Sequence, residues 1–72
     1  MDIGSVVNFI ADNASFSFCD KDGTEWRGTC TEFCCRGNEV HVSGTVRAGP
    51  DEWLEQRVNI VHSLSNATLI VT

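Results

Sequence analysis

Seventy-two residues point to one domain, near the lower size limit for independent folding, where roughly 60% of the unfolded surface becomes buried. Hydrophobic residues make up 42% and charged residues 21%, ordinary proportions for a globular protein that argue against disorder. Ten acidic against five basic side chains give a net charge of −5, which argues against phosphate-neutralising contact with nucleic acid and favours a basic partner.

No apolar run approaches the roughly 18 residues of a membrane span. No basic stretch followed by an apolar one opens the chain, so a cytoplasmic protein without an export signal is expected. The sequons Asn13-Ala14-Ser15 and Asn66-Ala67-Thr68 are then chance matches. Stability is expected to be modest in the absence of a metal, disulfides or a partner.

In chain order, the first element is read as a helix over residues 2–11. Ile3, Val6, Val7, Ile10 and Ala11 recur at i, i+3, i+4, i+7 and i+8, which is one apolar stripe. Asp2 stands where a cap is needed, and Asp12-Asn13 where the helix would end.

A hairpin follows, with strands over 15–20 and 24–34. Phe16 and Phe18 alternate with polar residues, as do Trp26, Gly28 and Cys30 after the turn, and a period of two puts each set on one face. Asp22-Gly23 is a strong hairpin signal, because Gly reaches positive φ at little cost. Gly28 marks a place where the strand bends or another backbone comes close. Glu32 and Phe33 break the alternation, so an inward Phe33 requires a bulge near Thr31.

Arg36-Gly37-Asn38 is the next turn, and Glu39 to Arg47 is the clearest alternation in the chain, a strand over 39–47. Ala48-Gly49-Pro50-Asp51 is a loop. Residues 51–65 carry two patterns. Trp53, Leu54, Val58, Val61 and Leu64 sit at helical spacing behind Pro50-Asp51-Glu52, whereas Val58, Ile60 and Val61 are β-branched and Val58-Asn59-Ile60 alternates. Residues 67–71 are short, apolar and β-branched, a last strand after a turn at Ser65-Asn66.

The order helix, strand, Asp-Gly turn, bent strand with a central Gly, two further strands and a short strand resembles the Sm-like and Hfq-like small barrels. Asp22-Gly23-Thr24-Glu25-Trp26-Arg27-Gly28-Thr29 is similar to their first motif. Lys21-Asp22-Gly23 and Arg57-Val58-Asn59-Ile60-Val61-His62-Ser63-Leu64-Ser65, with the spacing between them, resemble the Rof family of Rho-termination inhibitors.

The resemblance covers Phe16 to Val71 and implies a mainly β fold: an SH3/Sm-like five-stranded barrel with an N-terminal helix. It also implies strand and turn, with a strand over 56–62, where the residues alone left the choice open. The chain departs from Rof in its mostly apolar Met1 to Ala14, and of the uridine-binding Lys-His pair of Hfq only His62 has a counterpart.

Cys19, Cys30, Cys34 and Cys35, with His41 and His62, would be enough ligands for a structural zinc. There is no Cys-x2-Cys pair, however, and adjacent Cys34 and Cys35 point to opposite sides of a strand. They are read as core or incidental thiols, and no metal and no cofactor is expected. No nucleophile, base and orienting group stand out, so no enzymatic activity is expected.

Asp12, Asp20, Asp22 and Glu25 cluster at the ends of the first hairpin, with Glu32 and Glu39 extending them. They are read as an acidic contact face for a basic protein, and Trp53 as an interface anchor. The function expected is a non-enzymatic acidic module that inhibits or modulates a nucleic-acid-binding partner. Under the Rof resemblance that partner is Rho, whose RNA-binding surface the acidic face would occupy. Two alternatives stand beside it, an Sm/Hfq-like RNA-binding ring and a phage-type inhibitor of another host machine. The expected state is a monomer or an edge-paired oligomer.

Overall fold

The computed structural model describes residues 1–72 as seven antiparallel strands and one short 3-10 turn, with no α-helix. The strands are β1 (Asp2–Ser5), β2 (Val7–Ala11), β3 (Ser15–Cys19), β4 (Glu25–Arg36), β5 (Glu39–Ala48), β6 (Arg57–Ser63) and β7 (Thr68–Val71). They form one sheet in the order β1-β7-β6-β5-β4-β3-β2. The two edge strands, β1 and β2, are consecutive in the chain and separated only by Val6, so the sheet curls until its edges meet end to end. Val6 is buried, and its N–H donates to the Ala67 carbonyl at 2.9 Å.

A mainly β, curled small sheet is therefore present, but the expected N-terminal helix and the count of five strands are overturned. Residues 2–11 pair with β7 through β1 and with β3 through β2. The physical reason lies in two irregularities. Register shifts fall between Asp2 and Gly4 and between Val7 and Ile10, with Gly4 at φ 81° and Asn8 at φ 58°. Each bulge adds a residue to the two-residue strand repeat, so Ile3, Val6 and Phe9 turn inward at intervals of three. A twice-bulged strand thus mimics helical spacing. Val7 and Ile10, which the stripe reading places inward, are 59% and 67% exposed.

The contested region also resolves. Asp51–Trp53 is a 3-10 turn, and β6 begins at Arg57 with Val58, Ile60 and His62 inward. The bulge expected near Thr31 is present as a register shift between Cys30 and Glu32, and Phe33 packs against the core.

Phe16, Phe18, Trp26, Val42, Val46, Val58, Ile60, Leu69 and Val71 are fully buried inside the curl. Phe18 and Trp26 stack with ring centroids 5.4 Å apart. β4 and β5 make the longest pairing, and two glycines let them close. A Cβ at Gly44 would collide with the Thr29 carbonyl oxygen, and one at Gly28 would meet the Phe16 ring at 2.5 Å. Here glycine is required by space, since the neighbour at Gly44 is backbone that cannot swing aside.

His62 is the one buried polar or charged side chain, 6% exposed and stacked on Phe9 with centroids 4.1 Å apart. Its ladder neighbours are the buried Val40 and Leu69, and neither ring nitrogen has a hydrogen-bond partner. Burial holds the imidazole below its ordinary value of 6.5, because the charged form loses solvation.

Two outcomes follow from this packing. Gly44→Ala is expected to destabilise the fold by about 1–3 kcal/mol or more, read as a lower urea midpoint. The unfolded chain binds a proton at His62 more readily than the folded one, so His62's contribution is complete above 6.5 and falls as pH drops below it. The urea midpoint should decline between about pH 7 and about pH 5, and His62→Phe, which keeps the stack, should flatten that decline.

Candidate functional site

Antiparallel order sorts the connections onto two ends of the curl. The start of β1, the β3–β4 turn and the β5–β6 connection share one end. The β2–β3, β4–β5 and β6–β7 turns share the other. The first end carries the candidate site.

A groove of about 350 Å³ lies there, lined by Asp2, Asp20, Lys21, Asp22 and Glu52 among others. It shares Met1 and Glu52 with an adjoining hollow of about 300 Å³ that reaches Trp53 and Gln56. Three of the residues singled out in the sequence thus lie at this end of the curl, Asp20 and Asp22 on the groove and Trp53 on the hollow beside it.

Their roles differ. Asp20 Oδ1 accepts the N–H groups of Asp22 at 2.9 Å and Thr24 at 3.0 Å, and Oδ2 accepts the Trp26 indole N–H at 3.0 Å. Burial alone would raise its carboxyl. The bond from Trp26, the two backbone N–H groups and the Lys21 charge outweigh it and hold Asp20 below the usual carboxylate range. Both oxygens are committed, so Asp20 builds the wall of the groove and fixes Trp26 rather than standing free.

Asp2, Asp22 and Glu52 are exposed and form no ion pair, and Lys21 is the one cationic side chain on the lining. Trp53 is half-buried, 6.2 Å from Trp26 between ring centroids, and its indole N–H has no acceptor within the chain.

The remaining singled-out residues lie elsewhere. Glu25 is exposed and pairs with Arg27 at 3.2 Å. Asp12 is at the opposite end, in the β2–β3 turn, where its Oδ1 accepts from Ala14 N at 2.7 Å and Ser15 N at 3.0 Å. Those two backbone bonds lower its carboxyl, which makes it a turn-former. Glu32 is exposed on the outer face of β4, beyond the end of β3, and Glu39 is bound to His41 at 3.2 Å. No single acidic face joins all six.

The cysteines are all free, with Cys30 buried, Cys19 half-buried and Cys34 and Cys35 exposed. Burial pushes the Cys30 thiol up. No three of the His, Cys, Asp and Glu side chains converge as a metal set. Cys34 sits opposite His41 across β4 and β5, with Glu39 on His41. No hydrogen bond joins that thiol to the imidazole, and the three residues line none of the hollows. His62 stacks inside the core, away from any surface a ligand could reach. No helix is long and apolar enough to cross a membrane.

Sequence reasoning missed Asp2 and Glu52 as lining residues. Both were read as helix-start signals, and only the curl of the sheet brings them beside Asp22.

The two aspartates of the turn should separate experimentally. Asp20→Ala, which strips Trp26 of its acceptor, is expected to cost about 1–3 kcal/mol and to alter tryptophan fluorescence. Asp22→Asn should stay within about 0.5 kcal/mol by the same urea titration.

The chain matches no family model, no curated protein and no solved structure.

Proposed function

We propose that this chain is a non-enzymatic binding module whose acidic groove docks onto a basic protein surface, inhibiting or modulating a partner that handles nucleic acid. The observation that carries this reading is the set of exposed carboxylates at Asp2, Asp22 and Glu52, none of them in an ion pair and Asp2 holding only the Gly4 N–H at 2.8 Å, around a groove beside Trp53. Three negative groups with one lysine among them attract a Lys- or Arg-rich surface and steer its approach. Trp53 supplies the flat, partly apolar surface that anchors such contacts.

Occupation of a nucleic-acid-binding surface by this end would exclude the nucleic acid, whose phosphates need the same cations. The Rho termination factor is the specific partner proposed, on the resemblance of Lys21-Asp22-Gly23 and the 57–65 stretch to Rof. Asp20 has a supporting part in this mechanism, since it holds the turn and Trp26 in place.

Charge reversal at Asp22 and Glu52 is expected to slow association with the basic partner by about tenfold, with the loss shrinking at high salt. Surface plasmon resonance against Rho measures it, alongside a Rho-dependent termination assay. Absence of Rho from a bacterial pull-down, with termination unchanged by excess protein, would remove Rho as the partner. Tight binding of uridine-rich RNA at about 150 mM salt would overturn the protein-binding reading itself.

A further inference from the structure

β4 is twelve residues long, but β3 covers only its first part. The last β3–β4 partners are Ser15 and Thr29, and beyond them only Cys30 N–H is satisfied on that side, by the Ala14 carbonyl at 2.9 Å. From Thr31 to Arg36 the strand pairs with β5 alone. The β4–β5 hairpin therefore projects with one bare edge.

Which backbone groups face outward follows from the ladder. Arg36 and Glu39 flank the two-residue turn Gly37-Asn38, so hydrogen-bonded pairs fall at Arg36/Glu39, Cys34/His41 and Glu32/Ser43. Phe33 and Cys35 consequently turn their N–H and C=O groups away from β5, toward the bare edge. Of these four groups, the Cys35 carbonyl has the Cys34 thiol 3.9 Å away.

The side chains along the edge are antisymmetric in charge. Glu32, Cys34 and Arg36 share the outer face, and Phe33 and Cys35 the inner one, where Phe33 packs against the core. We propose that this edge pairs with the same edge of a second copy, antiparallel and centred on Cys34, giving a two-fold dimer with a continuous sheet across it.

That register satisfies three conditions together. Phe33 and Cys35 of opposite copies exchange their outward backbone hydrogen bonds. Glu32 of each copy stands opposite Arg36 of the other, at two symmetric positions. On the inner face Phe33 gains an apolar neighbour in the second copy's Cys35, continuing the row from Val42 to Val40 across the join. A shift of two residues in either direction keeps one exchanging pair, Phe33 or Cys35 with its counterpart in the other copy, sets the other against Thr31 or Gly37, and loses both ion pairs. The sequence Glu32-Phe33-Cys34-Cys35-Arg36 is thus complementary to its own reverse, a property a foreign strand would have to match. The interface is independent of the acidic groove, which lies at the other end of the curl.

The test is sedimentation equilibrium in the presence of a phosphine reductant, so that no disulfide contributes. The expected result is a concentration-dependent dimer. Glu32→Arg and Arg36→Glu should each weaken it by at least about tenfold, because each sets like charges opposite one another twice, and the double swap should restore it. Cys35→Pro, which removes an outward N–H without touching the bonds to β5, should leave the far-UV spectrum intact and abolish the dimer. A short dimaleimide should link Cys34 to Cys34, with the product lost in Cys34→Ser and kept in Cys35→Ser. A monomer at every concentration overturns the proposal. So does a dimer that neither single swap weakens, or a double swap that stays monomeric.

Discussion

The fold depends on one constraint, the continuity of the chain through Val6. β1 and β2 are opposite edges of the same sheet, and a single buried residue joins them. That join forces the sheet to curl, and the curl creates an interior for Phe16, Phe18, Trp26 and the valines. A flat sheet of the same strands would leave one face of each aromatic in water. The glycines serve the same end, since Gly28 and Gly44 permit the close approach of β4 and β5 that a tight curl needs. A chain this small has little apolar surplus, so the row of Phe9, Phe18 and Trp26 along the inside, tilted at Phe9–Phe18 and stacked at Phe18–Trp26, helps to hold it closed.

Closure also decides which charges meet. Asp2 enters from the start of β1, Asp22 from the β3–β4 turn and Glu52 from the connection after β5. These segments are far apart in sequence and become neighbours because strands alternate in direction and the edges are tied. Asp20 shows how scaffold and site share residues. Its carboxylate holds the turn that presents Asp22 and at the same time caps the indole of Trp26, the side chain against which Trp53 rests.

Local patterns in the sequence were legible where the strand repeat is undisturbed. The alternation of Phe16 and Phe18, of Trp26 and Cys30, and of Val40 to Val46 reads directly onto the inward faces of β3, β4 and β5. The interruption at Thr31 marked a bulge because its flanks were regular. Residues 2–11 were misread for the opposite reason. Two bulges lie so close together that no regular flank remains, and inward residues spaced by three look helical. Asn8 tolerates the positive φ that its bulge requires, but a single Asn between Val7 and Phe9 is too common a feature to reveal that bulge. The site was less legible than the fold. Composition pointed to acidic contact, whereas which carboxylates stand free depends on pairing that spacing does not encode. Glu25 looked like part of the tip until Arg27 was seen to neutralise it, and Asp12 until its backbone bonds showed it to be a turn-former.

The two ends of the curl have different capacities, and their relation limits how they combine. The acidic groove sits where β4 begins, and the bare edge where β4 finishes. In the proposed dimer the two β4 strands run antiparallel, so the grooves point away from each other. Glu25 stands nine positions before the Cys34 centre. At about 3.3 Å per residue, the grooves then lie up to about 60 Å apart. One basic domain cannot fill both. A partner that presents the same surface on several subunits can, and the second contact then forms at a high effective concentration. Self-association through an edge remote from the groove would in this way raise avidity for a multimeric partner without altering a single contact in the groove itself.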